Sequence, residues 1–141
     1  MKKHCLTTQE IQQKLTEVGI QPTLQRISIC SHVLCEADHP TAEDVHAWAE
    51  KNLAKISLAT TYNTLNTLVE AGLLKAFRFP HSEKVFYDNN LEDHYHFLDE
   101  RTNKLYDIEK EALSVEPSLA KNYKINEIEV LLKGEFKNDK K

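Results

Sequence analysis

Glycine and proline are scarce in these 141 residues, three and four respectively, so the chain carries no flexible linker and no low-complexity segment. Cysteine is as sparse. Cys5, Cys30 and Cys35 are odd in number and form no CxxC pair, which argues against a disulfide framework and a thiolate zinc knuckle. Reduced core filler is the expected role of Cys30 and Cys35. No apolar run is long enough to span a bilayer, and the opening MKKHCLTTQE lacks the apolar stretch of a secretory signal. A cytoplasmic protein without membrane contact is expected. A positive surplus is missing too: the formal charge is -4, with 9 Lys+Arg against 10 Asp+Glu over residues 1–90 and 9 against 12 beyond. That argues against indiscriminate adhesion to nucleic acid, yet it leaves room for a sequence reader with a local basic patch.

What is present is helical punctuation. Thr7-x-x-Glu10 is a capping box, followed by Ile11, Leu15 and Val18 on one stripe and by Gly19 as a stop. A second helix should begin near Thr23, carry Leu24, Ile27, Cys30, Val33 and Leu34, and end before His39-Pro40. The third starts at Thr41, with Val45, Trp48 and Ala49 inward; the fourth is capped by Ser57, carries Leu58, Tyr62, Leu65, Leu68 and Val69, and ends at Gly72. Leu73–Phe79 and Lys84–Tyr87 then read as strands around a Pro80-His81-Ser82 turn. Short helices followed by a two-stranded ribbon make a winged helix-turn-helix, with a small α/β domain after it. The expected class is α+β, divided into 1–88 and 89–141.

The most concentrated chemistry lies between Asp88 and Asp107. His94 and His96 sit at i and i+2, so on a strand both imidazoles face one side. A turn over Asp99–Asn103 should return the chain through Leu105-Tyr106 and bring Asp107 beside them. Imidazoles and carboxylates without a thiolate suit Fe(II), Mn(II) or Zn(II). Farther on, a short helix is expected from about Pro117 to Asn122, then a strand with Ile128, Val130 and Leu132 inward.

If the first half reads DNA, the helix after Ser57 enters the major groove, presenting Thr60, Thr61, Tyr62, Asn63, Thr64 and Asn66. Asparagine bonds adenine, and threonine or tyrosine carbon can touch a thymine methyl, so an A·T-rich palindromic duplex is the expected partner. Phosphate contacts fall to Lys14, Arg26, Lys51, Lys55 and Lys75, with Lys2, Lys3 and Lys84 besides.

With GIQPTLQR (19–26), HPTAEDV (39–45), SLATTYNTLNTLVEAGLL (57–74), DHYH (93–96) and KLYD (104–107) in family order, the chain resembles the ferric uptake regulator family, and within it the peroxide-stress branch. The resemblance adds His39 as a ligand and implies a regulatory metal held by His39, Asp88, His94, His96 and Asp107. It implies a homodimeric, metal-dependent DNA-binding repressor rather than an enzyme, loaded with Fe(II) or Mn(II) and, in vitro, Zn(II). Aspartate at 107, rather than glutamate, is associated in the family with peroxide sensing, through oxidation of His39 or His94. One departure stands out: the first CxxC pair of the family is replaced by Asp99 and Thr102, and no second pair follows. No structural zinc is expected, and dimerisation must rest on packing and strand pairing. The competing readings are a metal-uptake repressor blind to peroxide, a winged helix that has lost DNA recognition, and a non-haem iron or cupin-type enzyme, which the few glycines and four capped helices oppose.

Overall fold

The computed structural model describes residues 5–79 and 82–137. Two compact units emerge, Met1–Leu91 and Glu92–Lys141, so the division falls at 91/92 rather than at the expected 88/89.

In the first unit, α1 (Thr8–Glu17), α2 (Leu24–Cys35), α3 (Ala42–Asn52) and α4 (Leu58–Glu70) precede a ribbon of β1 (Lys75–Phe77) and β2 (Phe86–Asp88). Each helix begins where a side chain accepts a backbone N–H: Thr7, Thr23, Thr41 and Ser57 receive those of Glu10, Arg26, Asp44 and Thr60. Gly19 and Gly72 terminate α1 and α4 with φ of +79° and +77°, a conformation that costs a side-chain-bearing residue steric energy. Ile11, Leu15, Ile29, Cys30, Leu34, Val45, Leu65 and Leu68 form the core between the helices. Leu24 and Leu58 instead face solvent at 80% and 48% exposure, because each occupies the first position of its helix, ahead of the packed stripe. Val18 is exposed as the cap residue of α1.

The ribbon is antiparallel, Ala76 facing Tyr87, and shorter than the sequence suggested. Part of the expected turn, Pro80 and His81, lies outside the described residues, as do Lys2 and Lys3. β2 is held to the start of α3 by a Thr41–Phe86 bridge and by Tyr87 N–H donating to the Pro40 carbonyl at 2.8 Å. Thr41 therefore has a second task besides its capping box with Asp44. Thr41→Ala is expected to cost about 1 kcal/mol of stability, read as a lowered urea midpoint at unchanged m.

The cysteines require a correction. Cys30 is buried and free, as expected, but Cys35 is disulfide-bonded to Cys5, their Cα atoms 4.8 Å apart. Spacing alone hides this pairing, since it depends on the residues before α1 lying against the end of α2.

In the second unit, β3 (His94–Asp99) is the centre of a three-stranded sheet, with β4 (Lys104–Glu109) antiparallel on one side and β5 (Leu131–Gly134) parallel on the other. Tyr95 and Leu105 are buried, and Phe136 stands edge-on to both Phe97 and Tyr106. α5 (Ser118–Asn122) starts after Pro117, as the proline signals. The last strand starts three residues later than the alternation implied, and Ile128 and Leu132 are exposed at 42% and 41%. Their pattern marks a face that nothing within this unit covers.

The β3–β4 turn stands where the family's first cysteine pair would lie. Asp99 is fully buried; its carboxylate accepts the Arg101 N–H at 3.0 Å and the Thr102 hydroxyl at 2.9 Å. Asn103 adopts φ +65° and donates its N–H to the Asp99 carbonyl. Burial pushes the Asp99 pKa up, but the Thr102 hydroxyl, the Arg101 N–H and the Arg101 charge outweigh it and hold the group below the ordinary aspartate range.

Candidate metal centre

Within the second unit the strand register does what the turn requires. His96 lies directly opposite Asp107, and His94 is two residues along on the same face. Nε2 of His94 is 3.1 Å from Nε2 of His96 and 3.4 Å from Asp107 Oδ1; His96 Nε2 is 3.8 Å from the same oxygen. These side chains are 7%, 12% and 11% exposed. His94 Nδ1 meets the Glu92 carbonyl at 2.6 Å, and a carbonyl only accepts, so the ring proton of the neutral imidazole sits on Nδ1. That leaves the Nε2 lone pair directed at His96 and Asp107, the tautomer a metal ligand needs.

The first unit holds a matching pair. His39 donates from Nδ1 to Asp38 Oδ1 at 2.8 Å, and its Nε2 is 3.6 Å from Asp88 Oδ2. Both side chains of the pair are placed by the backbone: His39 has φ +50° between α2 and α3, and Asp88 ends β2, the strand that Pro40 and Thr41 anchor. Asp88 Oδ1 accepts the Asn90 N–H at 2.9 Å. Asn89 reaches the other way, its amide donating to the carbonyls of Val33, Leu34 and Ala37 at the end of α2. Sequence reading did not single out Asp38 or Asn89, although a carboxylate next to a ligand histidine is a recognisable orienting partner.

α4 sorts the expected DNA contacts. Ser57, Asn63 and Asn66 are exposed, Thr60 and Tyr62 partly so. Thr61 and Thr64 are fully buried, which corrects their assignment to the reading face. Thr61 Oγ1 contacts His46 Nδ1 at 2.9 Å, and Thr64 donates its hydroxyl to the Thr60 carbonyl. Threonine at these positions satisfies its hydroxyl on the helix itself and packs its methyl inward, so polarity misled the count. His46 ties α3 to α4 through this contact. Glu43 does the same from the other side, accepting the Tyr62 hydroxyl at 3.0 Å; this bond, with burial second, raises the Tyr62 pKa. Lys55 is exposed, and Gln25 donates to its carbonyl at 2.7 Å. Arg26 donates from Nη1 to the Gln21 carbonyl, while its Nε is buried with no hydrogen-bond partner among the described residues.

Residues 17–133 match the model of the ferric uptake regulator family. The peroxide operon regulator of Bacillus subtilis (strain 168) is 32% identical over 111 residues, covering 79% of this chain and 76% of that protein. The peroxide-responsive repressor PerR of Staphylococcus aureus (strain Mu50 / ATCC 700699) is 31% identical over 108 residues, 77% of this chain and 72% of that one. A solved zinc-bound manganese uptake regulator aligns at a TM-score of 0.70 and 26% identity, over 88% of this chain and 96% of its own. A helical unit with a two-stranded wing, a His/Asp cluster on the sheet that follows and these matches lead to one assignment: the chain belongs to the ferric uptake regulator family, metal-responsive transcription regulators that bind DNA as dimers and are not enzymes.

Proposed function

We propose that this chain is a repressor that senses hydrogen peroxide through Fe(II), with His39, Asp88, His94, His96 and Asp107 as the ligands of one ion. The observation that carries the reading is the tautomer control at two of the histidines: His39 and His94 each commit Nδ1 to an oxygen and keep Nε2 for a carboxylate-flanked cation. Nitrogen and oxygen donors without a thiolate fit Fe(II) and Mn(II), and Zn(II) in vitro. When bound, Fe(II) supplies the electrons that let peroxide oxidise a neighbouring imidazole.

The residues of this chain do the rest. His39 and Asp88 belong to the winged-helix unit and His94, His96 and Asp107 to the sheet unit, so a shared ion ties the DNA reader to its partner unit and fixes paired readers at the spacing of a palindrome. Oxidation of His39 or His94 removes a neutral ring nitrogen from that tie, and the DNA complex loses its support. Ser57, Thr60, Tyr62, Asn63 and Asn66 face the A·T-rich operator, with Arg26 and Lys55 toward phosphate. Exposed Leu119, Tyr123, Ile125, Ile128 and Leu132 support a homodimer joined by apolar packing rather than by a structural zinc.

Intact-mass measurement after a low dose of peroxide tests the reading. Protein loaded anaerobically with Fe(II) is expected to gain one oxygen on a peptide containing His39 or His94, and Mn(II)-loaded protein is expected not to. Iron binding without histidine oxidation would replace this reading with that of a metal-uptake repressor.

A further inference from the structure

We propose that Cys5 and Cys35 form a second, thiol-based redox site that cycles between dithiol and disulfide with hydrogen peroxide as oxidant, and that the bond braces the helix end leading into His39. Cys5 is exposed and stands two residues ahead of the Thr7 cap; Cys35 is the last residue of α2 and is partly buried. The bond spans a separation of 30 residues and joins the segment before α1 to the far end of α2. An exposed disulfide is open to attack by an external thiolate, which makes this cross-link reversible where a buried one would be inert. Cys30 does not compete, being wholly buried with its thiol pushed up to about 12 by desolvation.

Oxidation proceeds in two displacements. The Cys5 thiolate attacks one peroxide oxygen, the O–O bond breaks and the departing hydroxide takes a proton to become water, leaving a sulfenic acid on Cys5. The Cys35 thiolate then attacks that sulfur, the S–O bond breaks and a second water leaves. Two thiols lose two electrons, and one peroxide becomes two waters.

The bond is placed where it acts on more than stability. Glu36 and Ala37 both donate their N–H groups to the His32 carbonyl, and Asn89 caps Val33, Leu34 and Ala37, so the turn after Cys35 is already gathered around one point. Asp38 and His39 follow immediately. Fastening Cys35 to Cys5 narrows the motion of that turn and pre-organises the His39 and Asp88 pair, an effect that rests on the ligand assignment proposed above.

The test uses the full chain loaded with Mn(II), which removes iron chemistry, reduced with a dithiol and then titrated with peroxide. Alkylation and intact mass are expected to show two of three thiols protected, a loss of two hydrogens and a Cys5–Cys35 cross-linked peptide. The unfolding midpoint should rise by roughly 10 °C on oxidation. Dithiol should reverse both changes, Cys5→Ser and Cys35→Ser should abolish them, and Cys30→Ser should retain them. A cross-link between two copies, or a stalled sulfenic acid, would overturn the proposal. Mn(II) should bind several-fold more tightly to the oxidised form; equal affinity would overturn the bracing. Cross-linking in a protein that binds no Mn(II) in either state would strike the ligand assignment and leave the redox site standing.

Discussion

His94→Ala is expected to weaken Mn(II) binding by about 100-fold or more and to abolish metal-dependent binding to an A·T-rich palindromic duplex. Its Nε2 lies 3.1 Å from His96 Nε2 and 3.4 Å from Asp107 Oδ1, the two other proposed ligands of the sheet unit. Removing it leaves one imidazole and one carboxylate there, a poor chelate for a divalent ion. The fold should survive, because β3 pairs through its backbone from His94 to Asp99 and draws its packing from Tyr95. Titration calorimetry for the metal and anisotropy for the duplex, with circular dichroism as the check on folding, make the comparison. Undiminished operator binding by the variant would sink the assignment of this cluster as the corepressor site. Acid should act on the wild type in the same direction, since the ligand nitrogens must be free of protons to hold a cation.

Asp99→Ala is expected to produce a large stability loss in the sheet unit, a fall in unfolding midpoint of roughly 5–15 °C. The carboxylate accepts both the Arg101 N–H and the Thr102 hydroxyl, and truncation removes that acceptor from the fully buried end of β3, while residues 100–103 of the turn are themselves exposed or half-buried. Asp99→Asn keeps an acceptor and should fall between the two. The pH dependence gives an independent reading. Because the folded pKa of Asp99 lies below its unfolded value, its contribution is complete above the ordinary aspartate range and drains away as pH falls through the folded pKa. Wild-type stability should decline in that acid window, and the difference between wild type and Asp99→Ala should shrink there. A constant difference across the window would mean the carboxylate charge is not what holds the turn.

Much of this molecule is legible in its residues. The four caps and two stop glycines mark the helices of the first unit, and the spacing from His94 to Asp107 is enough to return Asp107 beside the histidines, though the register opposite His96 is set by the folded hairpin. These are local rules, in which a hydroxyl meets an N–H three residues on or a turn sets a register. What stays hidden is set by partners distant in sequence. Thr61 looks like a reading residue until His46 arrives beside it from α3, and Cys35 looks like filler until Cys5 reaches the end of its helix. The alternation near Ile128 misleads for a different reason, since it describes a face without a cover inside this unit.

The parallel pairing of β5 with β3 has a consequence for how the second unit assembles. β3 and β4 meet across the four residues 100–103 between Asp99 and Lys104, a closure that takes microseconds. β5 must wait for the excursion from Lys110 to Val130, which carries only a short turn and one five-residue helix, before it can dock along His96 to Asp99. Non-local pairing of this kind is slow. The hairpin that bears His94, His96 and Asp107 is therefore expected to exist before the sheet is complete, so the three side chains stand in register on one face before the late strand settles beside them.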